Sequence, residues 1–261
     1  MQDYLVWNPN PVAFDFGIVR VSWYGLTWSA SILLAYFIGR AIFARENKDS
    51  EKLTLLIQYV FLGAVIGARV FDVLFYHFDE FIARPLLMFE IMNGGLASHG
   101  AMIGVVIALF LYARYHPSCT FVWSLDKVAL VMPILGALVR IGNFINSELY
   151  GKATDLPWAV VFPLSDAQNI PRHPVQLYES LWLFFCFALF WWLYKKDSRP
   201  LGFFVSMFLI VVLGGRLLIE FLKDSSTYWG PLSNTQWLSL LGVLVGLGLF
   251  TVQQSKEGSK V

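Results

Sequence analysis

The sequence predicts an all-α, polytopic integral membrane protein, and three observations predict it. Of 261 residues, 57% are hydrophobic, 17% aromatic and only 14% charged, where a soluble domain carries about a quarter charged residues. Mean hydropathy is +0.60. Apolar runs approaching the roughly 20 residues that cross a hydrocarbon layer of about 30 Å recur along the whole chain. A water-soluble enzyme is thereby excluded. Nineteen Lys and Arg against 18 Asp and Glu leave a net charge of +1, which gives no basic excess for a nucleic-acid partner. The two cysteines, Cys119 and Cys186, are too few for a disulfide framework or a metal ribbon.

Taken in order, the spans are Val21 to Ile42, Leu53 to Phe75, Gly100 to Tyr112, Val122 to Ile145, Pro174 to Tyr194, Phe203 to Leu222 and Gln236 to Val252, seven in all, of which the third and seventh are short. Met1 to Arg20 carries Asp3 and Asp15 but no early cation, the wrong flank for a cleaved signal peptide. The first span is therefore expected to remain. Eleven of the 19 cations fall on one side, among them Arg40, Arg45, Lys48, Lys52, Lys195, Lys196 and Lys260; five fall on the other (Arg20, Arg84, Lys152, Arg172, Lys223). By the positive-inside rule this puts the N-terminus outside and the C-terminus in the cytoplasm, in keeping with an odd number of crossings. The outer loops, near residues 76–98, 146–173 and 223–235, are the long ones, and partial interfacial helices are expected there, for instance around Leu86 to Ile91. Residues 1–261 read as a single membrane domain without repeats.

Three arginines, Arg69, Arg140 and Arg216, lie inside spans. Ionised side chains at that depth cost about 2.5–3.5 kcal/mol each unless they face a partner or water. At about 1.5 Å per residue, they lie roughly 24, 27 and 20 Å from the cytoplasmic ends of their spans, in the outer half. Tyr24, His99, His173, Glu179, Asp72, Asn143, Asn146, Glu148 and Glu220 fall at similar depth. Such a layer suits a lipid headgroup. Arg69 with Asp72 (i, i+3) and Arg216 with Glu220 (i, i+4) could equally neutralise themselves on one helix face. Arg140 has no acid three or four residues away, so an external anion explains it better. His99, after Gly94, Gly95 and Ser98, starts a span where a substrate could come close; a lone histidine is more often a hydrogen-bonded structural residue than a base. The four histidines lack metal-ligand spacing, so no metal is expected.

The string Arg140-Ile-Gly-Asn-Phe-Ile-Asn-Ser-Glu-Leu-Tyr-Gly151 resembles the signature of the bacterial prolipoprotein diacylglyceryl transferase family. Supporting strings follow in the family's order: Trp23-Tyr-Gly-Leu26, Gly63 to Arg69 leading into Val73-Leu-Phe-Tyr76, Gly94-Gly-Leu-Ala-Ser-His-Gly100, Arg172-His-Pro-Val-Gln-Leu-Tyr-Glu179 and Gly215-Arg-Leu-Leu-Ile-Glu-Phe221. The resemblance implies a seven-helix enzyme of the bacterial cytoplasmic (inner) membrane, active at the outer leaflet and without a cofactor. Its partners would be phosphatidylglycerol and preprolipoprotein signal peptides bearing a lipobox cysteine. The cysteine thiol would receive the diacylglyceryl group as a thioether, with glycerol phosphate leaving.

By the same resemblance, Tyr24, His99, Gly100, Arg140, Asn143, Asn146, Glu148, Gly151, His173, Arg216 and Glu220 match functional positions. Arg140 and Arg216 would clamp the phosphate, Glu148 and Glu220 would orient them, and Asn143 and Asn146 would bond phosphate or glycerol oxygens. His99 would be the base, with Tyr24 or His173 as alternative proton partners, and Gly100, Gly151 and His173 would shape the substrate site. Two departures stand out: Val212 where many members have tyrosine, and Lys223 where arginine is usual. A phospholipid transporter is the competing reading, disfavoured by the lack of paired repeats and by the off-centre polar layer. A structural scaffold would need neither His99 nor Arg140.

Overall fold

A computed structural model describes residues 4–90, 95, 97–196, 199–224 and 228–258. Met1, Asp3, Ile91, Gly94, Leu96 and Lys260, named above, lie outside the described residues. Two compact units divide the chain, one of residues 36–127 and one of residues 1–35 with 128–261. The architecture is helical; among the described residues, six helices are long and apolar enough to cross a membrane and a shorter apolar one runs over His99–Tyr115. The chain is therefore an all-α polytopic membrane protein.

The unit of residues 36–127 holds the end of α1 (Trp23–Arg45), α2 (Ser50–Tyr76), the short α3 (Phe78–Ala83), a 3-10 turn over Pro85–Phe89, α4 (Ser98–Tyr115) and the start of α5 (Phe121–Ile145). Asp49 caps α2 by accepting from the Glu51 amide at 3.0 Å. Small residues let α2 and α4 cross at backbone distance. A Cβ at Gly63 would stand 2.6 Å from the Gly104 carbonyl oxygen, and one at Gly67 would stand 2.7 Å from the Gly104 Cα. In lipid, where no hydrophobic force separates side chains from solvent, such contact is what holds two helices together. The third predicted span is longer than its apolar run at both ends, yet α4 still covers only about 27 Å.

The segment after α2 in this unit is tied down by Arg69. Its guanidinium donates to the carbonyls of Leu87, Met88 (3.3 Å) and Gly95 (3.1 Å) and lies 3.6 Å from Asp72, which His77 also approaches at 3.2 Å. In the stretch where a partial helix is expected around Leu86 to Ile91, the structure has the 3-10 turn over Pro85–Phe89, preceded by α3.

In the other unit, α6 (Val175–Lys196) precedes a continuous span over Phe203–Leu222. That span consists of α7 (Phe203–Met207), a π turn at Phe208–Val212, α8 (Leu213–Ile219) and a 3-10 turn at Glu220–Leu222. The last helix, α9 (Asn234–Gly258), runs several residues beyond the predicted seventh span. Among the described residues there are three two-stranded sheets, not expected from the sequence. β1 (Leu5–Val6) pairs in parallel with β4 (Val160–Val161). β2 (Val12–Asp15) pairs antiparallel with β3 (Arg20–Ser22), and β5 (Tyr228–Trp229) with β6 (Leu232–Ser233). The loop after α5 has its own core of Phe144, Val160 and Phe162, against which Trp7, Tyr150 and Leu177 pack. Its polar brace is buried: Asp166 accepts from Arg172 Nε at 2.6 Å and Nη2 at 3.0 Å. That pairing holds the Asp166 carboxyl below its usual range.

Candidate active site

The site in the unit of residues 1–35 and 128–261 grows from the way α5 ends. After Ile145 the chain turns through two left-handed residues, Ser147 (φ 58°) and Leu149 (φ 57°), a conformation that costs a bulky L-residue energy and needs its surroundings to hold it. The Glu148 amide bonds the Asn143 carbonyl at 2.8 Å. This brings the Glu148 carboxylate over the last helical turn, where it accepts from Asn143 Nδ2 and Asn146 Nδ2, both at 3.1 Å. A carboxylate can only accept, so both amides turn their NH2 groups toward it. The Asn143 carbonyl oxygen is thereby left to accept from Arg140 Nη1 at 3.0 Å.

The other side of Arg140 meets a second helix. Its Nε lies 2.7 Å from Oε2 of Glu179 on α6. Glu179 is buried, and its Oε1 accepts from Lys223 Nζ at 2.7 Å. Lys223 also lies 3.5 Å from Oε2 of buried Glu220, whose Oε1 accepts from Ser233 Oγ at 3.5 Å. Backbone contacts set Lys223 in place. Gly151 bridges to Lys223, the Lys152 amide bonds the Leu222 carbonyl at 2.8 Å, and the Gly151 amide bonds the His173 carbonyl at 2.9 Å. A side chain at Gly151 would put its Cβ 2.8 Å from that of His173, so three strands of chain meet here only because this residue has none. The Gln176 side chain donates from Nε2 to the Glu148 backbone carbonyl at 2.6 Å and closes the group.

Of the residues selected from the sequence, Arg140, Asn143, Asn146, Glu148, Gly151, His173 and Glu220 belong to this assembly. The Tyr24 ring lies against α5 at Gly142, its Cδ2 2.9 Å from where a Cβ would stand. The half-buried His173 ring sits 3.4 Å from the Tyr178 hydroxyl, and burial lowers its pKa. Arg216 is half-buried one turn before Glu220 on the same helix and forms no ion pair among the described residues. In the unit of residues 36–127, His99 is exposed in the first turn of α4, with the Phe71 ring 6.4 Å away. Gly100 is buried where α4 crosses α2.

Several expectations are corrected. Glu148 orients the two asparagines rather than a guanidinium, and Glu220 pairs with Lys223 rather than with Arg216. Arg140 does have an acid beside it, supplied by α6 rather than by its own helix. Glu179, placed in the polar layer but given no role, is the residue that Arg140 and Lys223 share. Lys223, read as an outer-loop cation, carries its ammonium to buried carboxylates. The signal for Glu179 was present, since an intramembrane acid is a functional candidate by default.

Chemically, the arrangement can receive an anion at the Arg140 guanidinium. Asn143 and Glu179 hold the Arg140 guanidinium on two of its nitrogens, and Nη2 has no partner among the described residues. The Nη2 N–H groups are left to donate to phosphate oxygens. Among the described residues, no group of three or more His, Cys, Asp and Glu side chains is placed to hold a metal ion.

Comparison with known proteins agrees with this chemistry. Residues 11–252 match the family described as prolipoprotein diacylglyceryl transferase. A protein of Tolumonas auensis named phosphatidylglycerol–prolipoprotein diacylglyceryl transferase is 37% identical over 97% of this chain and 99% of its own. Proteins of the same name from Vibrio cholerae and Bordetella bronchiseptica are each 40% identical, covering 98% and 92% of this chain and 96% and 94% of their own. With its fold, its arginine-centred polar cluster and these relatives, the chain belongs to the prolipoprotein diacylglyceryl transferase family.

Proposed function

We propose that this chain is the enzyme that transfers the diacylglyceryl group of phosphatidylglycerol to prolipoproteins, the activity stated in its relatives' names. The acceptor is the lipobox cysteine of a preprolipoprotein signal peptide. Its thiolate attacks the glyceryl carbon that bears the phosphate, a C–S bond forms, and the C–O bond breaks with its electron pair on the phosphate oxygen. Glycerol phosphate departs and a thioether remains. The reaction takes place at the outer leaflet of the bacterial inner membrane, with the protein's N-terminus outside.

The observation that carries this reading is the Arg140 guanidinium, fixed by Asn143 and Glu179 with one edge open. Stabilising charge that grows on a departing phosphate is the largest task in such a reaction, and a prearranged fork in a water-poor site performs it. Arg140 and Arg216 clamp the phosphate. Asn143 and Asn146, aligned by Glu148, help hold lipid oxygens, and Glu220 acts through Lys223. His99, exposed and without a hydrogen-bond partner among the described residues, takes the thiol proton. Tyr24 and His173 are the alternatives, and burial keeps the His173 imidazole neutral near neutral pH, a state able to accept a proton. Gly100 and Gly151 act by leaving room for close approach.

The test is incubation of the purified, folded protein with phosphatidylglycerol and a lipobox peptide, followed by mass spectrometry. Thioether-linked diacylglyceryl peptide and glycerol phosphate in equal amounts are expected; absence of both overturns the reading.

A further inference from the structure

We infer that Lys223 is a positioning residue for lipid binding: it supplies the counter-charge that stops two buried carboxylates from cancelling the arginines' hold on the phosphate. The inference rests on the transferase reading and on the phosphate clamp proposed with it. Its basis is the bridge itself. One ammonium lies 2.7 Å from Glu179 and 3.5 Å from Glu220, and Glu179 is at the same time 2.7 Å from Arg140. Both carboxylates are buried, with 5% and 7% of their surface exposed, so solvent does little to screen them. With Arg216 added by the proposed clamp, Arg140, Arg216 and Lys223 against Glu179 and Glu220 make one positive charge in excess, which matches the single negative charge of a phosphodiester. Glu148, the other acid nearby, is exposed and screened by water.

Removal of the Lys223 charge makes the same group neutral overall and takes the ammonium from between two buried carboxylates. The Arg140 guanidinium then answers to Glu179 alone, and its attraction for an incoming phosphate weakens. The effect falls on the lipid rather than on the peptide, because only the lipid brings an anion to this place.

The experiment compares the parent with Lys223→Arg, Lys223→Gln, Glu220→Gln, Lys223→Gln/Glu220→Gln and Arg140→Lys, all purified in phosphatidylglycerol nanodiscs diluted with a neutral lipid. KM for phosphatidylglycerol, KM for the peptide, kcat and thermal unfolding are read together. Lys223→Gln is expected to raise the lipid KM by about tenfold with the peptide KM unchanged, and the Lys223–Glu220 double-mutant cycle to show a coupling of about tenfold. Lys223→Arg keeps the charge and is expected to restore the parental lipid KM. An unchanged lipid KM in Lys223→Gln, or additive effects in the cycle, overturns the proposal. If Lys223→Gln does not fold, the charge-balanced double variant carries the test: folding with a lipid KM close to that of Glu220→Gln supports it, and failure to fold, or a lipid KM about tenfold above that of Glu220→Gln, overturns it. Arg140→Lys with parental turnover sinks the clamp itself, whereas an inactive Arg140→Lys beside an additive cycle sinks only the role of Lys223.

Discussion

Arg140 illustrates how much a single side chain depends on its orientation. Asn143 and Glu179 bind it from two directions, and only a planar fork can satisfy both and still present a further N–H edge. Arg140→Lys keeps the charge but loses the fork, so turnover is expected to fall about 100-fold while the thermal unfolding midpoint stays near the parent's. Parental kcat in that variant contradicts the clamp. For His99, exposed at the start of α4, the expected result of His99→Gln is loss of thioether formation with lipid binding intact. Turnover that persists with the same pH profile reassigns the proton to Tyr24 or His173. The sequence made Arg140, Asn143 and Asn146 conspicuous because an arginine and two amides sit within two helical turns of an apolar span. It hid Lys223, because nothing local to that residue says that its ammonium turns inward.

At the scale of elements, the π turn in the span over Phe203–Leu222 matters most. One extra residue per π turn rotates everything after it, and such turns recur at functional sites. Here the rotated part begins at α8, where Gly215 packs under the Trp182 indole and Arg216 follows. Insertion of one alanine after Leu213, beyond the π turn, is expected to leave the span helical and swing Arg216 by about 100°. Helical content by circular dichroism should then match the parent, and transfer activity should be lost; retained activity would remove Arg216 from the clamp.

The loop after α5 invites a second prediction at this scale. Pairing with Arg172 lowers the Asp166 pKa, so this contact stabilises the fold above the unfolded carboxyl pKa of about 3.9 and stops doing so as pH falls through the lower folded value. Asp166→Asn is expected to cost about 3 kcal/mol at pH 7, because a buried Arg172 loses its partner. The gap between variant and parent in unfolding midpoint should close as the buffer is taken well below pH 4. A gap that does not change with pH contradicts the assigned cause.

For the whole molecule, the asymmetry of the cations sets a testable topology. Lys152→Cys, in the loop after α5, should react in intact cells made permeable only at the outer membrane with a thiol reagent that cannot cross the inner one, and Lys196→Cys, at the end of α6, should not. The native Cys119 and Cys186 are buried and give a low background. The reverse labelling pattern overturns the proposed orientation. Hydropathy alone located the spans, since the free energy of entering lipid adds up residue by residue along a stretch of chain and needs no knowledge of neighbours. The resemblance in the segment from Arg140 to Gly151 was legible for the same reason, being contiguous. The pairing of Arg140 with Glu179, and of Glu179 with Lys223, joins residues dozens of positions apart. Only the packing of α5, α6 and the end of the following span decided those partners, because an ion pair depends on separation in space and falls away within a few ångströms.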